Sequence, residues 1–235
     1  MRWAVAVSAL LLCCLAQETE GSMATIKIGN LEVTDLRGQL PANGDYPKRD
    51  IGAIKRIIIH HTAGAERDYA PGEIARIQLG LIADAKTGRR FPAIAYHFYV
   101  RWDGSISYTQ DIARETWHAG PANDDSIGIC LSGNWDNRQP PDAMLDATRD
   151  LVANLQLAMG QWYPTEGHSD VMQTSCPGTT FSQWRERVTV REPEPPPEPD
   201  YKALYLDLKT KYDQEREVAA SVKSVLQWQA ARLPG

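Results

Sequence analysis

The sequence predicts an α/β fold, a central mixed β-sheet flanked by α-helices. Three observations carry that expectation. Compact runs rich in β-branched residues recur along the chain, as buried strands require. Stretches with apolar residues at helical spacing stand between them. Turn residues separate the two kinds of segment.

The first 16 residues stand apart. Arg2 precedes an apolar run from Trp3 to Leu15, and small residues sit at Cys14 and Ala16. This is the layout of a secretory signal peptide cleaved after Ala16. The run is shorter than the roughly 20 apolar residues that span a bilayer, so no stable membrane insertion is expected. Gly21-Ser22 directly before Met23 resembles a fusion junction, which would make Met23 an older start.

A single domain is expected over residues 24–190. Thr25–Ile28 and Leu31–Val33 alternate weakly, as short edge strands do. Arg56-Ile57-Ile58-Ile59-His60-His61 reads as a buried central strand, with both histidines at its C-terminal end, where α/β sheets place their sites. Pro71 to Ala85 carries Ile74, Ile77, Leu81 and Ile82 at helical spacing, with Pro71 suited to a first turn. Ile94–Val100 reads as a second strand, and Asp103-Gly104 as the turn of a hairpin leading into Ile106-Ser107-Tyr108. Glu115–Gly120 reads as a loop. Ser126–Leu131 reads as a third buried strand, with Cys130 a small core hydrophobe. Asp142–Met159 reads as an amphipathic helix, and Glu166–Thr180 as a polar loop.

Beyond Arg191 the composition changes. Residues 191–199 form a Pro/Glu linker, extended and semi-rigid. Residues 200–233 read as one helix. Asp200 can cap it, and Tyr201, Leu204, Tyr205, Leu208 and Tyr212 open an apolar stripe that Val218, Val222, Val225 and Leu226 continue. Such a stripe packs on a domain or self-associates in a short coiled coil.

The chain has 235 residues, 43% hydrophobic and 23% charged, with a net charge of −5. A phosphate-binding face needs an excess of basic residues, so no nucleic-acid partner is expected. Of four cysteines, Cys13 and Cys14 fall in the leader, and the remaining two make no disulfide framework. Cys176 lies in a polar stretch before a proline, which does not suit a core role.

His60 at a strand end, with His168 and Cys176 in one later loop, offers two imidazoles and a thiolate. Three such ligands leave a zinc ion one open position, the mark of a catalytic rather than a structural site. Spacing this loose is not diagnostic of a metal by itself. Further segments add to it: Ile58-Ile59-His60-His61-Thr62-Ala63-Gly64, Tyr96-His97-Phe98, Trp117-His118-Ala119-Gly120, Ser126-Ile127-Gly128-Ile129, Gly167-His168-Ser169-Asp170 and Thr174-Ser175-Cys176-Pro177-Gly178. In this order and spacing, over roughly residues 50–185, they resemble the zinc N-acetylmuramoyl-L-alanine amidases, which include phage amidase-type lysozymes and animal peptidoglycan-recognition proteins.

The resemblance implies the following roles. His60, His168 and Cys176 match the zinc ligands. Tyr96 matches a catalytic tyrosine beside the attacked carbonyl. Thr174 matches a position that is Lys in the phage lysozymes and Thr in many animal members; its hydroxyl can meet an oxyanion but brings no positive charge. His118 matches a substrate-contacting groove position. Apart from the resemblance, Trp117 is by residue type a groove wall or a loop anchor, and Asn123 and Trp135 are weaker groove candidates. His61 and His97 are expected to face away from the site, because strand side chains alternate. The implied reaction is zinc-dependent hydrolysis of the amide between N-acetylmuramic acid and L-alanine in bacterial peptidoglycan, by a secreted enzyme. The alternative is a peptidoglycan receptor without catalysis; such members typically lack the cysteine ligand.

Overall fold

In the computed structural model, residues 23–80, 91–191 and 200–230 are described. They divide into two units at the Glu192/Pro193 boundary. The leader (1–16), Leu81 and Ile82, the Pro/Glu segment 192–199 and Leu233 lie outside the described residues.

The first unit is built on a seven-stranded mixed sheet. In chain order its elements are β1 (Thr25–Ile28), β2 (Leu31–Asp35), β3 (Arg56–His61), α1 (Pro71–Gln78), β4 (Phe98–Val100), β5 (Ile106–Tyr108), β6 (Ser126–Leu131), α2 (Asp142–Met159), β7 (Thr165–Gly167), α3 (His168–Val171) and α4 (Phe181–Val188). The spatial order is β1-β2-β5-β4-β6-β3-β7. β3 lies between β6 and β7 and runs parallel to both. Among the strands of the sheet, antiparallel pairing joins β1 to β2 and β4 to β5.

Ile57, Ile58 and Ile59 are all fully buried, because both faces of β3 are covered. Each such burial contributes roughly 1.5–3 kcal/mol. Strand alternation sorts the side chains. Ile57, Ile59, Ile127, Ile129 and Leu131 join Leu145, Leu151, Val152 and Leu155 of α2 and Trp184 and Val188 of α4 in the main core. Ile58 faces the other way and meets Ala119, Ala122 and Val171. Cys130, also on that face, packs with Tyr99, Ile94, Tyr69 and Ile74 and Ala75 of α1.

Several expectations hold to the residue: β3, β6 and α2. Gly160 takes a left-handed conformation at the end of α2 and stops it. The hairpin turn at Asp103-Gly104 forms, with Gly104 N–H donating to the Arg101 carbonyl at 3.0 Å. Three segments differ from the expectation. The predicted strand Ile94–Val100 is a regular strand only from Phe98: His97 N–H still donates to the Gly128 carbonyl of β6 at 3.0 Å, but Ala95 N–H donates to the Gln78 side chain at 2.9 Å. The helix opened by Pro71 ends at Gln78, before Gly80 at φ +73°. The polar loop Glu166–Thr180 begins with part of β7 and the turn α3. Sequence reading also missed α4, although Phe181, Trp184 and Val188 carry a helical stripe.

The second unit is α5 (Tyr201–Ala230). Asp200 caps it: Lys202 N–H and Ala203 N–H both donate to its carboxylate at 3.0 Å, as an N-cap requires. Among the described residues, no helix is long and apolar enough to cross a membrane.

Candidate metal centre

The sheet register assembles the site. Ile59 of β3 is level with Gly167 at the end of β7, so His60, next along β3, and His168, which opens α3, emerge side by side. Their rings lie 4.6 Å apart. The α3 turn holds His168 in place: Gly167 N–H donates to the Asp170 carboxylate at 2.7 Å, and Arg185 of α4 pairs with the same carboxylate at 2.6 Å. Ser169 N–H donates to the Cys176 carbonyl at 2.7 Å, tying the second loop ligand to the first. Gly178 is required beside it. Its φ is +124°, and a Cβ there would lie 2.4 Å from the Trp135 carbonyl oxygen.

One donor atom from each of His60, His168 and Cys176 lies within 4.8 Å of the others. Cys176 Sγ is 3.6 Å from His60 Nδ1. That matches the edge of about 3.6 Å that a tetrahedral zinc imposes between its nitrogen and sulfur ligands. His168 Nε2 is buried with no hydrogen-bond partner, a costly state for a polar atom that metal ligation relieves. The donor set fits one divalent metal ion of zinc type.

The electrostatics agree. Burial drives the His60 ring well below its ordinary pKa, and His168 is lowered for the same reason. Both imidazoles are therefore neutral at pH 7, as ligation requires. Burial pushes the Cys176 thiol up to about 12. A divalent cation at this point reverses that balance and holds the thiolate.

The other expected residues divide. Tyr96 is close: its ring is 5.3 Å from that of His60, and its hydroxyl meets the Cys130 thiol. Thr174 is exposed, and its hydroxyl accepts the Cys176 N–H at 3.2 Å. His118 is only 7% exposed. Its Nδ1 lies 2.8 Å from His60 Nε2, so the ring underlies a metal ligand and has little surface to offer a substrate. Asn123 Oδ1 accepts the Ala119 N–H at 2.7 Å, a staple across the turn after His118. Trp117 is 38% exposed and stands edge-on to Tyr46 at 5.5 Å. Trp135, expected as a groove candidate, is fully buried in the main core.

His61 faces the main core, and its Nδ1 accepts the Trp135 backbone N–H at 3.2 Å. His97 is fully buried; its Nδ1 accepts the Gly128 N–H at 3.0 Å, which leaves Nε2 to donate to the Arg114 carbonyl at 2.9 Å. Sequence reasoning missed Ser126, whose hydroxyl sits 3.3 Å from His118 Nε2. A signal was present: Gly128 interrupts an apolar strand, which marks a close approach. A Cβ there would lie 2.8 Å from the His118 ring.

A family profile described as N-acetylmuramoyl-L-alanine amidase matches residues 50–179, more than half of the chain. The chain belongs to this amidase family. One peptidoglycan-recognition protein of Drosophila melanogaster is 30% identical over 172 residues, 72% of this chain and 88% of that protein. The crystal structure of Drosophila peptidoglycan recognition protein SD superposes with a TM-score of 0.51 at 27% identity, covering 63% of this chain and 89% of the other. The Ph2119 endolysin from a Thermus scotoductus bacteriophage superposes with a TM-score of 0.54 at 23% identity, covering 66% and 99%, a likeness of fold. The matched stretch of the amidase family contains all three converging ligands. Family and metal cluster together support a zinc-dependent hydrolase of peptidoglycan.

Proposed function

We propose that this chain hydrolyses the amide joining the lactyl group of N-acetylmuramic acid to L-alanine in bacterial peptidoglycan. The observation that carries the reading is the convergence of His60, His168 and Cys176 with the Tyr96 ring against His60. When bound, zinc supplies a Lewis acid and lowers the pKa of a water at its open position to about 7.

Tyr96 acts as a hydrogen-bond donor. Burial raises its phenol well above the ordinary value, so it keeps its proton at neutral pH and can give a hydrogen bond to the oxyanion developing on the attacked carbonyl. Thr174 accepts a backbone N–H through its oxygen, which leaves the hydroxyl proton free to assist. An open cavity of about 330 Å³, bordered by Ser169, Thr174, Ser175 and Arg185, lies beside it and can take polar substrate groups. Trp117 offers an exposed aromatic face suited to a sugar ring, and Asn123 holds the loop that carries it.

We take residues 24–190 as the catalytic domain, 191–199 as a linker and 200–233 as a separate helix. On that helix Tyr205, Leu208, Tyr212, Val222 and Leu226 are exposed and lie on one three–four seam, interrupted at its middle positions by Glu215 and Ala219, which supports self-association. The leader 1–16 and an extracellular polymer as substrate support secretion. Mass spectrometry of digested sacculi tests the reaction: new free amino termini on L-alanine are expected, and new reducing sugar ends in their place would rule the amidase out.

A further inference from the structure

We infer that Ser126 and His118 are positioning residues that set the tautomer of His60, and so decide which of its nitrogens faces the metal. The inference rests on His60 being a metal ligand.

The argument is a count of protons along one buried line. Ser126 Oγ donates to the Ala122 carbonyl, which can only accept. A hydroxyl has one proton, so towards His118 Nε2, 3.3 Å away, Ser126 Oγ can only accept. His118 Nε2 therefore carries its ring proton, and its Nδ1 is a bare lone pair. That lone pair lies 2.8 Å from His60 Nε2, so His60 must carry its proton on Nε2. His60 Nδ1 is then the bare nitrogen, and it points at Cys176 Sγ, 3.6 Å away. The carbonyl of Ala122 thus determines the ligating atom through a hydroxyl and two rings.

The line is built into the fold. Ser126 and His118 are 0% and 7% exposed, so water does not supply a competing partner. The His118 ring fits only because residue 128 is glycine: a Cβ there would lie 2.8 Å from both Cγ and Nδ1 of His118. The two rings meet edge-on, their planes at 87°, which aims the nitrogen of one at the nitrogen of the other. A ligating histidine whose far nitrogen is held in this way loses less orientational freedom on binding the ion.

Two measurements test it. In the 15N-labelled, metal-free chain at pH 7, long-range 1H–15N correlation is expected to show both His60 and His118 with a protonated Nε2 and a bare Nδ1. A protonated Nδ1 on either ring overturns the inference, and no variant is needed for that result. Second, Ser126→Ala removes the hydroxyl acceptor of the His118 proton and leaves only the backbone carbonyl of residue 126 to hold it. His60 is expected to become a mixture of tautomers, and the zinc dissociation constant, read by competition with a chromogenic chelator, to rise about 10- to 100-fold. Unchanged affinity with an unchanged His60 signature in that variant also overturns it. The tautomers are read without substrate, so a chain that shows them yet cleaves no amide keeps the relay and removes the amidase reading alone.

Discussion

His60 and His61 are neighbours in the chain, equally suited by residue type to hold a metal, and they end in opposite surroundings. His60 shares its face of β3 with Ile58, His118 and, across the register, Cys130. His61 shares the other with Ile57 and Ile59 and accepts a backbone N–H from Trp135. Both are buried. The difference is what each ring nitrogen meets. On the first face a bare nitrogen converges with a thiol and a second imidazole; on the second it is consumed by a peptide group. Burial alone therefore does not make a ligand. An unspent lone pair among other unspent donors does.

The largest effect that should separate the two faces is loss of the metal. Cys176→Ala leaves two ligands, and His60→Ala does the same from the strand. Either variant is expected to lose its one zinc per chain and at least about 10³-fold in wall cleavage, since the ion's charge stabilisation is worth several kcal/mol and each 1.36 kcal/mol is tenfold in rate. Wild-type turnover by a zinc-free variant would remove the metal assignment. Tyr96→Phe should keep the zinc and lose about 10²–10³-fold in kcat, the usual effect of deleting one oxyanion donor; metal analysis beside kinetics distinguishes the two outcomes.

The His61 face should respond to acid and not to chelators. Burial lowers His61 from the ordinary 6.5 to about 4; on the opposite face, beside His118, it lowers His97 to about 3. In this range the unfolded chain binds protons that the folded chain refuses, so stability is full above pH 6.5 and falls as pH drops towards 4. For His61 the loss amounts to ~3 kcal/mol. Urea midpoints of the metal-free protein from pH 7 to pH 4 should follow that fall, and His61→Gln should make it shallower by about that amount while retaining zinc, the remainder coming from the other buried histidines. A flat wild-type profile would place the ring in water. The smallest effect lies outside both faces. Cutting the chain before Pro193 should leave amide cleavage of soluble fragments within about twofold, far below the effects of touching the site, and should lower the sedimenting mass to that of a monomer. A full-length chain that is already monomeric would remove self-association through α5.

The strands and the long helix were legible in the sequence, because their signals are local. A run of β-branched residues between turn formers, or an apolar stripe stopped by Gly160, states its own conformation. Alternation along β3 also separated His60 from His61. The residues of the centre could be named only because a series of motifs in register resembled one family; the spacing of His60, His168 and Cys176 was too loose to do so. What local signals could not supply was everything set by partners distant in the chain. Tyr96 lies outside the strand assigned to it: the Thr109 hydroxyl takes its carbonyl and the Gln78 side chain takes the N–H of Ala95 before it. Trp135 joined the core, and His118 turned under His60 and away from solvent, because Gly128, further along the chain, leaves room for its ring. Residue order alone settles which elements form and which donor types are present. Which lone pairs remain unspent is settled only once the chain has folded, since a hydrogen bond is allotted by three-dimensional neighbours and not by position in the chain.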